Sequence, residues 1–122
     1  MQVKKPAPRR LTLKNIATLD ELKFSPDGLI PAVVQDAKDK AVLMVAYMNR
    51  AALQQTLETG LATYWSRSRN CFWVKGDTSG HFQKVKRIYF DCDKDTLLVM
   101  IDQIGVACHT GKRSCFFTRM AY

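Results

Sequence analysis

The chain of 122 residues carries a net charge of +8, and 47% of its residues are hydrophobic and 25% charged. These values are typical of one globular domain that buries a full core without disulfides. No apolar run approaches the length of a membrane span, and polar residues after the basic start interrupt any signal-peptide core. We therefore expect a cytoplasmic protein with no membrane partner.

The N-terminal residues 1–10 form a basic segment with two prolines and four cations. We expect a flexible arm here, followed by a single domain over residues 11–122. Within the domain, "TLDELKF" at 18–24 predicts a short helix, because Thr18 suits the N-cap and Glu21 follows three residues later. The next four residues, "SPDG", predict a turn.

Apolar segments separated by turn residues predict strands along the rest of the chain, with one helix among them. The helix covers about residues 49–59, where Asn49 suits the N-cap and Gly60 ends the last turn. The predicted strands are 29–36, 41–48, 61–68, 71–76, 82–91, 96–102 and 114–118. Together these elements predict an α+β, β-rich fold with one main helix and a mixed or barrel-like sheet.

Three aspartates stand at alternate positions in "FDCDKD", namely Asp91, Asp93 and Asp95. If this segment continues a strand, the three carboxylates share one face and Cys92 points to the other. Carboxylates this close repel one another unless a cation neutralises them, and oxygen ligands suit Mg²⁺ or Ca²⁺. An EF-hand is excluded, because its sixth position would be Thr96 instead of glycine. The alternative is a solvated acidic strand end.

The four cysteines indicate metal binding or catalysis more than disulfides in a reducing compartment. Cys108 and Cys115 flank "HTGKRS", which can fold back around Gly111 and bring the two sulfurs together. With Cys92 as a third ligand, zinc would keep one open position, which is the catalytic pattern. The alternative is that Cys92 and Cys115 are small buried apolar side chains, and Cys71 is assigned to that alternative.

Two stretches offer contacts to phosphate. In "SRSR", Arg67 and Arg69 would share one face of a strand, and paired guanidiniums favour bidentate phosphate contacts. In "KGDTSG", Lys75 supplies a cation, Thr78 and Ser79 supply hydroxyls, and the glycines free the backbone N–H groups. The alternatives are a solvated strand face for the first stretch and a polar hairpin turn for the second.

His81 and His109 are the two histidines of the chain, and either suits a general base or hydrogen-bond donor near neutral pH. His109 is the preferred candidate, because it lies between a candidate zinc ligand and a glycine turn. The alternative for both is a structural role.

Four motifs, "YWSRSR", "WVKGDTSG", "FDCDKD" and "ACHTGKRSC", follow one another along the chain. In the order and spacing of these motifs the chain resembles the phosphoribosyl-AMP cyclohydrolases, from about Gly28 to Phe116. The resemblance implies a zinc-dependent hydrolase of histidine biosynthesis that also needs magnesium. It implies opening of the adenine ring of phosphoribosyl-AMP at the N1–C6 bond, which gives the formimino-aminoimidazole carboxamide ribonucleotide (ProFAR).

The resemblance also implies an intertwined homodimer with zinc ligands shared between subunits. Cys92 would come from one subunit, and Cys108 and Cys115 from the other. The residues matched to the magnesium site are Asp91, Asp93 and Asp95. His109 becomes the candidate for proton transfer, because no glutamate lies in the motifs.

The implied substrate is a phosphorylated nucleotide, whose two phosphates need cations and hydroxyls. The candidates for these contacts are Arg67, Arg69, Lys75, Thr78, Ser79, Lys112 and Arg113. In one place the chain departs from the family pattern, which has Glu at the position of Ala51. If that glutamate supports the helix N-terminus, its absence weakens the interaction with the helix dipole by about 0.3–1 kcal/mol.

Two other functions compete with the hydrolase. A zinc-bearing nucleic-acid-binding module would use the positive charge and exposed Tyr64, Trp65 and Trp73 as stacking platforms. It does not explain the three aspartates, which would repel phosphate, and we therefore expect no nucleic-acid partner. A structural or buffering zinc protein would instead need a fourth protein ligand and a closed site.

Overall fold

The computed structural model describes residues 3–122, with one α-helix and six strands. The elements are β1 (Leu29–Asp36), β2 (Val42–Asn49), α1 (Arg50–Thr59), β3 (Thr63–Ser66), β4 (Cys71–Val74), β5 (Gln83–Phe90) and β6 (Leu97–Gln103). A short 3-10 helix at Leu19–Glu21 precedes them, and Thr18 and Glu21 form the predicted capping box. No helix in the described part of the chain is long and apolar enough to span a membrane.

The main sheet has the strand order β2-β1-β6-β5. The central pair β1 and β6 is parallel, and the two outer pairs are antiparallel. Strands β3 and β4 form a separate antiparallel hairpin, and Leu61, just before β3, forms an isolated bridge with Lys84 of β5. The prediction of a mixed sheet is therefore confirmed, but a barrel is wrong, because the edge strands β2 and β5 do not pair with each other.

Helix α1 has the predicted bounds because both of its ends are capped locally. The Asn49 side chain accepts a hydrogen bond from the Ala52 N–H at 2.8 Å, and Gly60 adopts the left-handed conformation at φ 72°. Leu53 faces inward and is 2% exposed. It joins a core formed with alternate residues of β1, among them Ile30 and Val34, which are fully buried.

Three of the predicted strands, 61–68, 71–76 and 82–91, extend too far along the chain, and a fourth, 114–118, is absent. The strand predicted over 61–68 is confined to β3, and Arg67 and Arg69 lie in the turn that follows. The strand predicted over 82–91 stops at Phe90, where its partner β6 begins at Leu97. Residues 114–118 form no strand, because one backbone hydrogen bond, from the Cys115 N–H to the Leu43 carbonyl, joins them to β2 instead of a ladder.

The predicted N-terminal arm runs alongside the end of α1. The Arg9 N–H donates to the Thr59 carbonyl at 2.8 Å, and the Leu11 N–H donates to the Leu57 carbonyl at 2.7 Å. The first two residues of the arm lie outside the described part of the chain. The division into an arm over 1–10 and a domain over 11–122 stays a prediction.

Candidate active site

The three aspartates lie in the tight turn that joins β5 to β6, which we call the aspartate turn and define as residues 91–96. One carboxylate oxygen from each of Asp91, Asp93 and Asp95 comes within 4.8 Å of the others, and all three side chains are exposed. The turn is closed by hydrogen bonds from the Lys94 N–H to the Asp91 carbonyl at 3.0 Å and from the Asp95 N–H to an Asp91 carboxylate oxygen at 3.1 Å. The carboxylates therefore converge because the backbone turns.

Strand alternation, which predicted this convergence, is the wrong explanation for it. The segment 91–95 is not a strand, and Lys94 adopts a left-handed conformation at φ 61°. The pKa of Asp91 shows the effect of the turn. Partial loss of hydration acts to raise it, but hydrogen bonds from Asp95, Thr96 and Asp93 outweigh that effect and lower the pKa. This carboxyl is therefore held in the ionised form that a cation needs.

Cys108 and Cys115 lie on a loop after β6, which we call the cysteine loop and define as residues 104–117. The loop doubles back on itself through a hydrogen bond from the Ala107 N–H to the Arg113 carbonyl at 3.0 Å. Its C-terminal part is fixed to β2, where the Cys115 N–H donates to the Leu43 carbonyl at 2.7 Å. The two thiols consequently lie beside one another, as the predicted fold-back requires.

The two thiols of the cysteine loop differ in their surroundings. The Cys108 sulfur lies 3.0 Å from the Thr110 hydroxyl oxygen, and hydrogen bonding from Thr110 lowers the pKa of this thiol. Desolvation raises the pKa of the Cys115 thiol, and the neighbouring Cys108 raises it further. Cys108 is therefore the thiol that ionises more readily. Cys71, Cys92 and Cys115 are all exposed, so the alternative that they are buried apolar side chains is wrong.

Lys75 reaches the cysteine loop from the end of β4. Its ammonium donates a hydrogen bond to the Ala107 carbonyl at 2.6 Å and lies 5.2 Å from the centre of the Trp73 ring. The side chain is half-buried. Burial lowers the pKa of Lys75, while the negative charge available at Cys115 and Cys108 acts to raise it. This lysine thus contacts the residue directly before Cys108, a candidate zinc ligand of its own chain.

A buried polar network supports the start of the cysteine loop, and nothing in the motifs predicted it. The Tyr64 hydroxyl donates to the Gln83 side chain, and the Gln83 amide donates to the Gln103 side-chain oxygen at 2.9 Å. The Gln103 amide in turn donates to the Ile104 carbonyl at 2.9 Å. The available signal was a glutamine at an inward-facing position of β5, where an apolar residue is usual.

This network also corrects one sequence-based expectation about the aromatic residues. Tyr64 is fully buried, and burial strongly raises the pKa of its hydroxyl, so the side chain is no platform for a nucleotide base. Trp65 is half-buried, and Trp73 is 38% exposed. The stacking surface expected of a nucleic-acid-binding module is therefore incomplete.

Cys92 lies far from the other two candidate zinc ligands in the chain. It belongs to the turn before β6, whereas Cys108 follows the other end of β6. The seven residues of β6 span roughly 20 Å at the usual rise of a strand. Within residues 3–122, the three aspartates are the one group of at least three metal-ligating side chains close enough to share an ion. The three thiols do not meet within one chain.

The two histidines occupy different environments. His109 is exposed in the cysteine loop, directly after Cys108. His81 is half-buried and packs against Gly105, where an added Cβ atom would lie 2.4 Å from the imidazole ring. His81 therefore helps to shape the base of the loop, while His109 has free access to a ligand. The catalytic role of His109 stays a prediction.

The phosphate-binding candidates in the two turns beside the hairpin are mostly exposed. The Arg67 guanidinium stacks on Tyr47 at 4.1 Å from the ring centre, which holds it in one place. Arg69 and Thr78 are exposed, and the Ser79 hydroxyl accepts a hydrogen bond from the His81 N–H at 3.1 Å. Since Arg67 and Arg69 lie in a turn, their expected placement on one strand face is wrong.

The two candidates in the cysteine loop have contacts of their own. The Lys112 ammonium lies 5.8 Å from the centre of the Phe117 ring. The Arg113 guanidinium forms ion pairs with Asp39 at 2.8 Å and with Asp36 at 3.5 Å. These ion pairs tie the loop to the turn between β1 and β2. Phosphate binding by any of the candidates stays a prediction.

Comparison with known proteins identifies the family. The model of the phosphoribosyl-AMP cyclohydrolase family matches residues 44–117, which include all four motifs and both clusters of candidate metal ligands. The chain belongs to the phosphoribosyl-AMP cyclohydrolase family.

Individual relatives support the same assignment. The phosphoribosyl-AMP cyclohydrolase of Pelotomaculum thermopropionicum is 59% identical over 102 residues, which cover 84% of this chain and 79% of that protein. The enzyme of the same name from Methanosarcina acetivorans is 58% identical over 84% of each chain. A bifunctional histidine biosynthesis protein, HisIE of Nostoc sp., is 56% identical over 87% of this chain and 50% of its own length.

Proposed function

We propose that this enzyme hydrolyses the N1–C6 bond of the adenine ring of phosphoribosyl-AMP, as a step of histidine biosynthesis, and that it uses zinc and magnesium. The observation that carries the proposal is the family match over 44–117, which includes the cysteine loop and the aspartate turn. The substrate suits this chemistry, because ribose attached at N1 makes the purine cationic and C6 strongly electrophilic.

The donor atoms fit both metals. Cys108 and Cys115 offer adjacent sulfur ligands, which zinc takes in tetrahedral sites. Asp91, Asp93 and Asp95 offer converging carboxylate oxygens, which suit the harder Mg²⁺ ion. The two sets lie at opposite ends of β6, so each chain contributes to two metal sites of different chemistry.

We propose that the active enzyme is a homodimer in which Cys92 of one subunit completes the zinc site of the other. The support is geometric: roughly 20 Å of strand separates Cys92 from Cys108 in one chain, while zinc–sulfur bonds are about 2.3 Å long. Three thiolates from two chains would leave one position of a tetrahedral ion open, which is the catalytic arrangement.

Zinc held by these thiolates would supply the hydrolytic nucleophile at neutral pH by acidifying water. The residues of the chain then have separate tasks. His109, exposed beside Cys108, transfers a proton to the N1 nitrogen as the ring bond breaks. Arg67, held on Tyr47, is placed to bind a phosphate of the substrate.

The proposal is tested with purified protein, Zn²⁺, Mg²⁺ and phosphoribosyl-AMP, with ring opening followed by absorbance. We expect Cys92→Ala to lose both zinc and activity. Asp93→Asn should keep its zinc and need a higher Mg²⁺ concentration. The matched control is Cys71→Ala, because Cys71 is an exposed thiol on β4 outside the cysteine loop and the aspartate turn. A Cys92→Ala enzyme that still binds zinc and is active would refute the assignment of Cys92 as a zinc ligand.

A further inference from the structure

Lys75 is a half-buried cation without a carboxylate partner. Within residues 3–122, the ion pairs of the structure involve Arg50, Lys86 and Arg113, and none involves Lys75. A cation that has lost part of its hydration needs a compensating negative group. The Lys75 ammonium instead donates to the carbonyl of Ala107, the residue directly before Cys108, which places the charge beside the thiols of the cysteine loop.

The position of Lys75 is fixed by its surroundings. Its backbone N–H donates to the Ala62 carbonyl at 3.0 Å, and its ammonium donates to the Ala107 carbonyl at 2.6 Å. The next residue, Gly76, has no room for a side chain, since an added Cβ atom would lie 2.3 Å from the Phe82 nitrogen. Both the backbone and the ammonium group of Lys75 are therefore fixed, and the ammonium contacts the residue that precedes Cys108.

A zinc site built from three thiolates creates a need for such a cation. Three thiolates exceed the charge of one divalent ion, so the site keeps a net negative charge. Hydrogen bonds and charges around a metal's ligands orient those ligands and tune the metal. The Ala107 carbonyl bound by Lys75 belongs to the residue directly before Cys108, so the contact also restrains the loop backbone next to this ligand.

We propose that Lys75 is a positioning residue of the zinc site, which neutralises the thiolates of Cys108 and Cys115 and fixes the cysteine loop through Ala107. This inference rests on the proposed zinc site and gives Lys75 a different role from the phosphate contact expected from the sequence. It predicts that Lys75 affects the affinity for the metal before any substrate binds.

The experiment measures Co²⁺ binding to the metal-free, full-length protein by its thiolate-to-cobalt absorption band, in competition with a chelator. We expect Lys75→Met to weaken Co²⁺ binding about 10–100-fold, the usual effect of losing a partner of metal ligands. Lys75→Arg, which keeps the charge, should stay closer to the wild type. Lys112→Met is the matched control, because it removes the same charge from an exposed position of the cysteine loop.

The possible outcomes separate the two proposals. If the wild-type protein gives no thiolate-to-cobalt band, the zinc site itself is wrong and the role of Lys75 falls with it. If the wild type gives the band and Lys75→Met binds Co²⁺ equally well, only the inference about Lys75 is overturned. The same holds if Lys112→Met loses as much affinity as Lys75→Met, since the effect would then be general electrostatics.

Two further measurements separate positioning from other roles. A phosphate-binding lysine would raise KM for phosphoribosyl-AMP and leave Co²⁺ affinity unchanged, and that result would contradict the proposal. If Lys75→Met does not fold, Lys75→Gln replaces it, because an amide can still donate to the Ala107 carbonyl but carries no charge. We expect Lys75→Gln to bind Co²⁺ at least about 10-fold more weakly than Lys75→Arg. Equal affinities of these two variants would overturn the role of the charge.

Discussion

Mixing two inactive variants tests whether zinc ligands are shared between subunits. One variant is Cys92→Ala and the other is Cys108→Ala. Each should be inactive alone, because every site of its homodimer lacks a ligand. In a mixed dimer, the subunit with Cys108→Ala still carries Cys92, and the subunit with Cys92→Ala still carries an intact cysteine loop. One of the two sites is then complete, and the other lacks both ligands.

The expected magnitude follows from the two-fold symmetry of the dimer. Random association of the two variants in equal amounts places about half of the dimers in the mixed form, and each mixed dimer has one complete site. The unfractionated mixture should therefore regain about one quarter of the wild-type activity, and the purified mixed dimers about one half. A single chain cannot complete a site by itself, because β6 separates Cys92, before the strand, from Cys108, after it.

The assay uses differently tagged variants produced together, with the mixed dimers purified through both tags and tested for phosphoribosyl-AMP hydrolysis and zinc content. The matched control combines Cys108→Ala with Cys115→Ala. Both changes fall in the cysteine loop, so every mixed dimer lacks a ligand at both sites and should stay inactive. Mixed dimers of Cys92→Ala and Cys108→Ala that stay without zinc and activity would refute ligand sharing, as would activity in the control.

Two further predictions concern stability. Tyr64→Phe should lower the free energy of unfolding, measured in urea, by about 1–3 kcal/mol, because it leaves a buried Gln83 oxygen without its hydrogen bond. Tyr47→Phe, at a half-buried position, is the control. An equal loss of stability in Tyr47→Phe would contradict this reason. Ala51→Glu should raise the free energy of unfolding by about 0.3–1 kcal/mol, because the first turn of α1 has no acidic residue to interact with the helix dipole. A gain that persists unchanged in high salt would exclude that electrostatic explanation.

Local signals in the sequence predicted the elements that are stabilised locally. Helix α1 was predicted with its bounds because Asn49 and Gly60 cap it through neighbouring residues. The short helix at Leu19–Glu21 was predicted for the same reason, from the Thr18 and Glu21 capping box. Local signals did not predict the strand order of the sheet. The parallel pairing of β1 with β6 joins strands that are far apart in the chain, and it leaves β2 and β5 as open edges.

The aspartate turn shows that alternation of residue types does not by itself predict a strand. Alternating aspartates fit a strand, but the segment turns at Lys94, a non-glycine residue with a positive φ that no composition signal marks. The same limit applies to Arg67 and Arg69, which alternate in sequence and yet lie in a turn. Residue types thus indicate which metals the side chains suit, while the geometry that brings those side chains together depends on where each strand ends.

We expect folding of the chain to be separable from assembly of the proposed zinc site. The core lies between the sheet and α1 and is formed by residues such as Ile30, Leu53 and Val99, none of which depends on a metal. Small zinc domains, by contrast, unfold when the metal is removed. A chelator should therefore abolish hydrolysis of phosphoribosyl-AMP while the circular dichroism of the sheet persists. Loss of secondary structure on chelation would mean that zinc holds the fold as well as the site.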